Sequence, residues 1–270
     1  MPELPEVETT RRGLEPLLVD ETIADLEVRE PRLRWPVDPT LPELVRHERI
    51  TSVERRGKYL LIATRNGSLI WHLGMSGSLR FLNDPGVPKN HDHLDLILST
   101  GACVRFNDPR RFGSLHFCEA PENHWLLSSL GPEPLGDDFT GHYLRRTARG
   151  RRVAIKQHIM NSRIVTGVGN IYANEALFRS RIHPRRAAGR ISAQRFEALA
   201  TSIKHVLDEA IRAGGTTLRD FVGGDGKPGY FQQTLAVYGR RGEPCIDCRT
   251  PIKQVVLGQR ATYYCPHCQR

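Results

Sequence analysis

The sequence predicts an α+β protein: an N-terminal β-sandwich with flanking helices, a helical second domain, and a C-terminal β-hairpin held between cysteine pairs. Three observations carry this. Short β-branched or alternating segments separated by turn residues fill residues 22–118. Helical periodicity replaces them from about residue 140. Two Cys-x2-Cys pairs then bracket a strand-like segment at the end of the chain. A chain of 270 residues has ample length for one or two cores.

Residues 3–18 read as a helix, with Val7, Leu14, Leu17 and Leu18 at helical spacing and Pro5 in its first turn. Strands are expected at 23–29, 58–64, 68–73, 78–82, 93–99, 102–107 and 114–117, with a short helix at 41–47. Turns fall at Asn66-Gly67, Asn83-Asp84-Pro85-Gly86 and Thr100-Gly101. Residues 132–138, rich in Pro and Gly, form the expected linker between a domain at 1–131 and a second at 139–230. Helical patterns occupy 140–146, 153–160, 171–180 and 192–213, the last stopping at Gly214-Gly215. The stretch 216–231, with Gly223, Gly224, Gly226, Pro228 and Gly229, predicts a mobile loop, and a small module closes the chain at 236–270.

Composition narrows the partners. Lys and Arg number 39 against 30 Asp and Glu, a net charge of +9, which suits a polyanion. Seven Arg-Arg pairs are spread from Arg11-Arg12 to Arg240-Arg241, and guanidinium groups fork well onto phosphates. No apolar run reaches membrane-spanning length, and the acidic N-terminus lacks the apolar core of a signal peptide. The expected location is the cytoplasm, where thiols stay reduced, so six Cys point to metal or plain burial.

Cys245, Cys248, Cys265 and Cys268 have the spacing of a tetrahedral four-thiolate site, and with no open position the expected group is one structural Zn²⁺. A redox Cys-x2-Cys would use one pair and leave the other unexplained. Cys103 and Cys118 fall in strand patterns and read as buried thiols. Gly167-Val168-Gly169-Asn170 precedes a helix, where flexible backbone and a helix N-terminus favour a phosphate over a plain inter-helix turn. His91 and His93 share a strand face without a further metal ligand, which favours a phosphate contact for His91 and a core role for His93. Met75, Arg110 and Phe112 lie in glycine-punctuated segments, a presentation suited to wedging into a base stack, although either apolar residue alone is more often core. Lys58 follows Arg55-Arg56-Gly57 at a strand head, and Arg260 lies in the hairpin between the cysteine pairs.

The N-terminus carries the most chemistry. Removal of Met1 before Pro2 leaves a secondary amine one residue from the Glu3 carboxylate. An α-amino group titrates at about 8, well below lysine at about 10.4, so more of it is nucleophilic at neutral pH. Pro at position 2 also simply directs Met removal, and taken alone it says no more than that.

Taken in order, PELPEVE at 2–8, HLGMSGS at 72–78, DPRRFG at 108–113, GVGNIYANE at 167–175, DGKPGYF at 225–231 and the four-Cys finger resemble the formamidopyrimidine-DNA glycosylase family. Its members are bacterial enzymes that remove 8-oxoguanine and ring-opened purines. The resemblance spans essentially the whole chain. It implies a helix-two-turns-helix DNA-binding domain at 139–230 and a zinc finger at 236–270. It implies attack on C1′ by Pro2, with Glu3 as general acid and Glu6 in support. Lys58 is expected in β-elimination and Arg260 in δ-elimination. DNA contacts are implied for His91, Arg110, Arg151 and Asn170, with Met75, Arg110 and Phe112 filling the gap left by the extruded nucleotide. The loop at 217–229 is expected to close over the damaged base. At 151 many relatives carry Lys, so the Arg151-Arg152 pair leaves open which of the two makes the contact. The expected partner is double-stranded DNA containing oxidised purines, bound by a monomer near the nucleoid across a cleft between the domains. The sister family, endonuclease VIII, shares the Pro-Glu start and the finger but prefers oxidised pyrimidines. A catalytically silent DNA-binding protein is the other alternative, and it has no need of Pro2, Glu3, Lys58 and Arg260 together.

Overall fold

The structure, a computed structural model, describes residues 2–214 and 235–270. The expected loop at 216–231 lies outside the described residues. The chain divides into two compact units, the first running to Ser128 and the second starting at Ser129 and taking in the C-terminal residues.

The first unit is a β-sandwich. Strands β1 (Ile23–Val28), β5 (Ser78–Leu82), β6 (Asp92–Leu98) and β7 (Cys103–Asn107) form one sheet in the order β1-β6-β7-β5. Strands β2 (Ile50–Arg56), β3 (Tyr59–Thr64), β4 (Ser68–His72) and β8 (Ser114–Cys118) form the other in the order β2-β3-β4-β8. All pairings are antiparallel, and the inward residues, among them Ile62, Leu69, Trp71, Leu96 and Phe106, make one core. Helix α1 (Leu4–Leu18) packs on β2 and β3, and the short α2 (Leu41–Val45) packs on β1. On α1 the buried line is Val7, Leu14 and Leu18, while Leu17 is 38 % exposed, which corrects its expected place on that face. Residues 7, 14 and 18 fall within a narrow sector at 100° per residue, and position 17 is rotated out of it.

The sequence pattern misses β2. Its burial alternates irregularly because the pairing with β3 slips between Ile50 and Ser52, so the charged ITSVERR shows no two-residue period. Lys58 is correspondingly not at the head of a strand. It sits with Gly57 in the two-residue turn between Arg56 and Tyr59, and Gly57 takes φ +59°, as the first central position of a primed hairpin turn requires.

The second unit contains α3 (Gly141–Ala148), α4 (Ile155–Ile159), α5 (Asn170–Arg179) and α6 (Ala193–Arg212) around a core that includes Phe139, Leu144, Tyr172, Phe196 and Ile203. Thr140 caps α3 by accepting the Tyr143 N–H at 3.1 Å. The hairpin of β9 (Lys253–Leu257) and β10 (Arg260–Tyr264) turns through Gly258 and Gln259, both at positive φ, so Arg260 is the first residue after the turn. The finger's small core of Cys245, Ile252 and Cys265 packs on Phe178 of α5. No helix of the described residues is long and apolar enough to cross a membrane.

Candidate active site and nucleic-acid interface

The start of α1 is built around two carboxylates. Glu3 is the N-cap, and a capping box links it to Glu6: the Glu3 side chain accepts the Glu6 N–H, and Glu6 Oε2 accepts the Glu3 N–H at 2.8 Å. Both are 1 % exposed, although carboxylates are rarely so buried, while Pro2 just ahead of them is partly exposed. The result is a fixed start to α1 with a desolvated acid at its N-cap, an arrangement able to shuttle a proton.

One turn on, Glu8 joins α1 to the Lys58 turn. It accepts hydrogen bonds from Arg11, Arg12 and Arg55, and Arg55 Nη1 donates to the Gly57 carbonyl at 3.0 Å. Burial pushes the Glu8 carboxyl up, but these three guanidinium groups prevail and hold it below the ordinary carboxylate range. His72, at the end of β4, stacks 4.9 Å from Tyr59 and accepts the Gly74 N–H on Nδ1 at 3.1 Å. Burial, with the Lys58 and Arg34 charges nearby, pushes it down to about 4, so it is neutral at physiological pH.

Met75 and Phe112 are 37 % and 39 % exposed, and the Arg110 guanidinium lies 4.7 Å over the Phe112 ring. Their two loops touch through backbone: a Cβ on Gly74, which has φ +67°, would stand 2.4 Å from Gly113 N and from Phe112 C. His91 is exposed at φ +70°, whereas His93 is 7 % exposed and bonded through Nε2 to the Asp108 carbonyl at 2.9 Å. Cys103 is buried as expected, but Cys118 is only partly so, because its outward position on β8 places Sγ against the Ala120 carbonyl.

In the second unit Asn170 is the first residue of α5, after Gly167 at φ +81° and the N-cap Gly169. Its Nδ2 donates to the Ala261 carbonyl at 3.1 Å, and its Oδ1 is buried with no hydrogen-bond partner among the described residues. Sequence reasoning passed over Lys156. It is 1 % exposed, and Nζ donates to Ala261 O at 2.9 Å and Thr262 Oγ1 at 2.7 Å. The only hint in the sequence is a lysine beside Ile155, inside a helix otherwise closed by apolar residues. Asn174 Oδ1 accepts the Tyr263 N–H at 2.8 Å. Helices α4 and α5 thus grip β10 next to Arg260, which is exposed, as are Arg151 and Arg152.

The four sulfurs of Cys245, Cys248, Cys265 and Cys268 lie within 4.8 Å of one another, with Cys248 and Cys265 at 3.4 Å and Cys245 and Cys268 at 4.0 Å. Zinc–thiolate bonds of about 2.3 Å in a tetrahedron put sulfurs roughly 3.8 Å apart. The donor set therefore fits one structural Zn²⁺, with no ligand position left for substrate.

Comparison with known proteins agrees along the chain. Residues 1–115 match the formamidopyrimidine-DNA glycosylase N-terminal domain, 130–222 the formamidopyrimidine-DNA glycosylase H2TH domain, and 242–270 the zinc finger found in FPG and IleRS. The formamidopyrimidine-DNA glycosylases of Methylococcus capsulatus and Alkalilimnicola ehrlichii are 58 % and 57 % identical, each covered in full by the whole chain. Among solved structures, the MutM (Fpg) protein of Thermus thermophilus is 40 % identical with a TM-score of 0.89, over 99 % of this chain and 98 % of that one. The Lactococcus lactis Fpg bound to abasic-site DNA is 33 % identical with a TM-score of 0.91 over both full chains. On three domain matches and relatives alike from end to end, the chain belongs to the formamidopyrimidine-DNA glycosylase family.

Proposed function

We propose that the protein is a bifunctional DNA glycosylase and abasic-site lyase of base excision repair, acting on 8-oxoguanine and formamidopyrimidines in double-stranded DNA. The observation that carries this reading is the terminus of α1, where Pro2 precedes the interlocked, buried Glu3 and Glu6. After removal of Met1, the Pro2 nitrogen attacks C1′ of the damaged nucleotide. The N-glycosidic bond breaks, the base leaves with a proton, and a C1′ iminium forms as Glu3 protonates the opening sugar oxygen. The iminium acidifies C2′–H. Loss of that proton, with Lys58 assisting, expels the 3′ phosphate by β-elimination. A second elimination, assisted by Arg260, expels the 5′ phosphate, and water then releases Pro2. Splitting base loss and strand scission through a covalent intermediate lowers both barriers without a catalytic metal ion.

In this reading His91, Arg151 and Asn170 carry phosphates, and Met75, Arg110 and Phe112 fill the space left by the flipped nucleotide. A catalytic domain at 1–131, a linker at 132–138, a DNA-binding domain at 139–230 and the finger at 236–270 supply them, in a monomer working on DNA in the cytoplasm, at the nucleoid. The Lactococcus lactis Fpg has been crystallised as a mutant with Fapy-dG DNA and as the wild type with DNA containing an oxidised pyrimidine. Competition between 8-oxoguanine and thymine glycol duplexes therefore measures the purine preference. Borohydride is expected to trap the protein on lesion DNA, read by intact mass together with Met1 loss. Pro2→Gly is expected to abolish the adduct, and an adduct undiminished in that variant rules out Pro2 as the nucleophile.

A further inference from the structure

We infer that Asp108 is the positioning residue of the DNA wedge: its buried carboxylate fastens the Met75 loop and the Arg110–Phe112 loop into one rigid body. The inference rests on the reading above, in which those side chains enter the base stack.

Asp108 is 0 % exposed, and its two oxygens divide their acceptor sites between the two loops. Oδ1 accepts the Ser76 hydroxyl at 2.6 Å and the Arg110 N–H at 3.3 Å, and Oδ2 accepts the Gly113 N–H at 2.8 Å. Ser76 Oγ in turn accepts the Arg110 N–H at 3.3 Å. The main chain of Asp108 extends the clamp. Its N–H donates to the His91 carbonyl at 3.0 Å, and its carbonyl accepts from Arg111 N at 3.1 Å and bonds the His93 ring at 2.9 Å. One residue therefore ties together the segments that present His91, Met75, Arg110 and Phe112. Among the described residues it has no ion-pair partner, so its negative charge is compensated by the loops' own donors. A buried polar group satisfied in this way fixes a single arrangement, which an apolar side chain of the same size does not. A wedge needs that stiffness: side chains pushed into a base stack do work against stacking, and a loop free to retreat relaxes instead.

Asp108→Asn tests this with little change in size. Both oxygens accept, so either amide orientation sets an NH₂ against a donor, Gly113 N–H on one side or Ser76 and Arg110 on the other. Single-turnover excision of 8-oxoguanine opposite cytosine is expected to fall roughly tenfold, and the preference for cytosine over adenine opposite the lesion to narrow. Borohydride trapping on a single-stranded abasic oligonucleotide, which has no stack to wedge, is expected to stay within about twofold. Hydrogen exchange should rise at 73–77 and 108–113 and not in α1 or β3. Ser76→Ala, which deletes one hydroxyl and endangers folding less, is expected to act in the same direction and more weakly. The inference is overturned if excision and opposite-base preference stay unchanged in both variants. It is equally overturned if single-stranded trapping in Ser76→Ala falls in step with duplex excision, or if exchange at the two loops does not change. A wild-type protein that never traps lesion DNA sinks the function reading itself, a result distinct from any of these.

Discussion

A lysine that is 1 % exposed has given up its hydration for fixed partners, and at position 156 these include Ala261 O and Thr262 Oγ1 on the finger hairpin. Hydrogen bonds to a charged group contribute about 1.5–3 kcal/mol each, so the cation is a fastener for the strand that begins with Arg260. Lys156→Met keeps the length and removes the donors. Losing both bonds is expected to lower stability by about 3 kcal/mol or more in thermal or urea denaturation. Under the proposed lyase chemistry it is also expected to shift the cleavage ends from δ- toward β-elimination products, because the hairpin carrying Arg260 loses a fastener. Unchanged product ends in a destabilised variant would restrict Lys156 to a purely structural role. Asn170 makes the other bond to the same carbonyl, so the hairpin is weakened rather than lost.

At the scale of elements, the finger is the least self-sufficient piece. Its core is a few residues, and among the described residues its strands pair only with each other, so metal binding supplies much of its folding free energy. Removing zinc with a chelator is expected to raise hydrogen exchange across 253–264 and to depress nicking of lesion DNA, and restored zinc is expected to reverse both. Normal nicking by metal-free protein would separate the finger from the chemistry. The segment entering the finger is held differently. Glu175 of α5, 9 % exposed, accepts the N–H groups of Ala236, Val237 and Tyr238 at 2.8, 3.0 and 2.9 Å. Burial raises its pKa more than those three donors lower it.

Over the whole molecule, buried histidines contribute to the response to acid, His72, His116 and His158 most strongly. His72, His116 and His158 are each pushed down to about 4, chiefly by burial, with Lys58 and Arg34, His124, and Arg151 respectively adding to it. Unfolded, each titrates at about 6.5. Between these values the unfolded chain binds protons that the folded protein refuses. Their contribution is therefore fully present above pH 6.5 and is lost as pH falls toward 4. Denaturation free energy is expected to decline from pH 7 to pH 5, before most carboxylates titrate, and His116→Phe is expected to flatten that slope. A slope unaltered by His116→Phe would show that its ring is not buried neutral.

How much of this was legible in the chain depends on range. The four cysteines declare their site because paired thiolates at Cys-x2-Cys spacing make a tetrahedral zinc set, and α1, α6 and most strands declare themselves through local periodicity. The ordered motifs that point to the family, Pro2-Glu3 among them, were legible for the same reason: they are contiguous. Strand β2, Lys156 and Asp108 were not legible. A bulge erased the period of the first, and the other two draw their meaning from residues 105 and 32 positions away in the chain. Sheet pairing likewise turns Asp95 and Arg105, unremarkable as letters, into a buried ion pair at 2.6 Å. Sequence by itself determined the fold class and the metal set, because those depend on neighbours along the chain, and it proposed the nucleophile on the same local grounds. Only the tertiary structure decided which polar side chains are buried and what they hold, because a buried charge takes its role from partners that folding alone brings within hydrogen-bond reach.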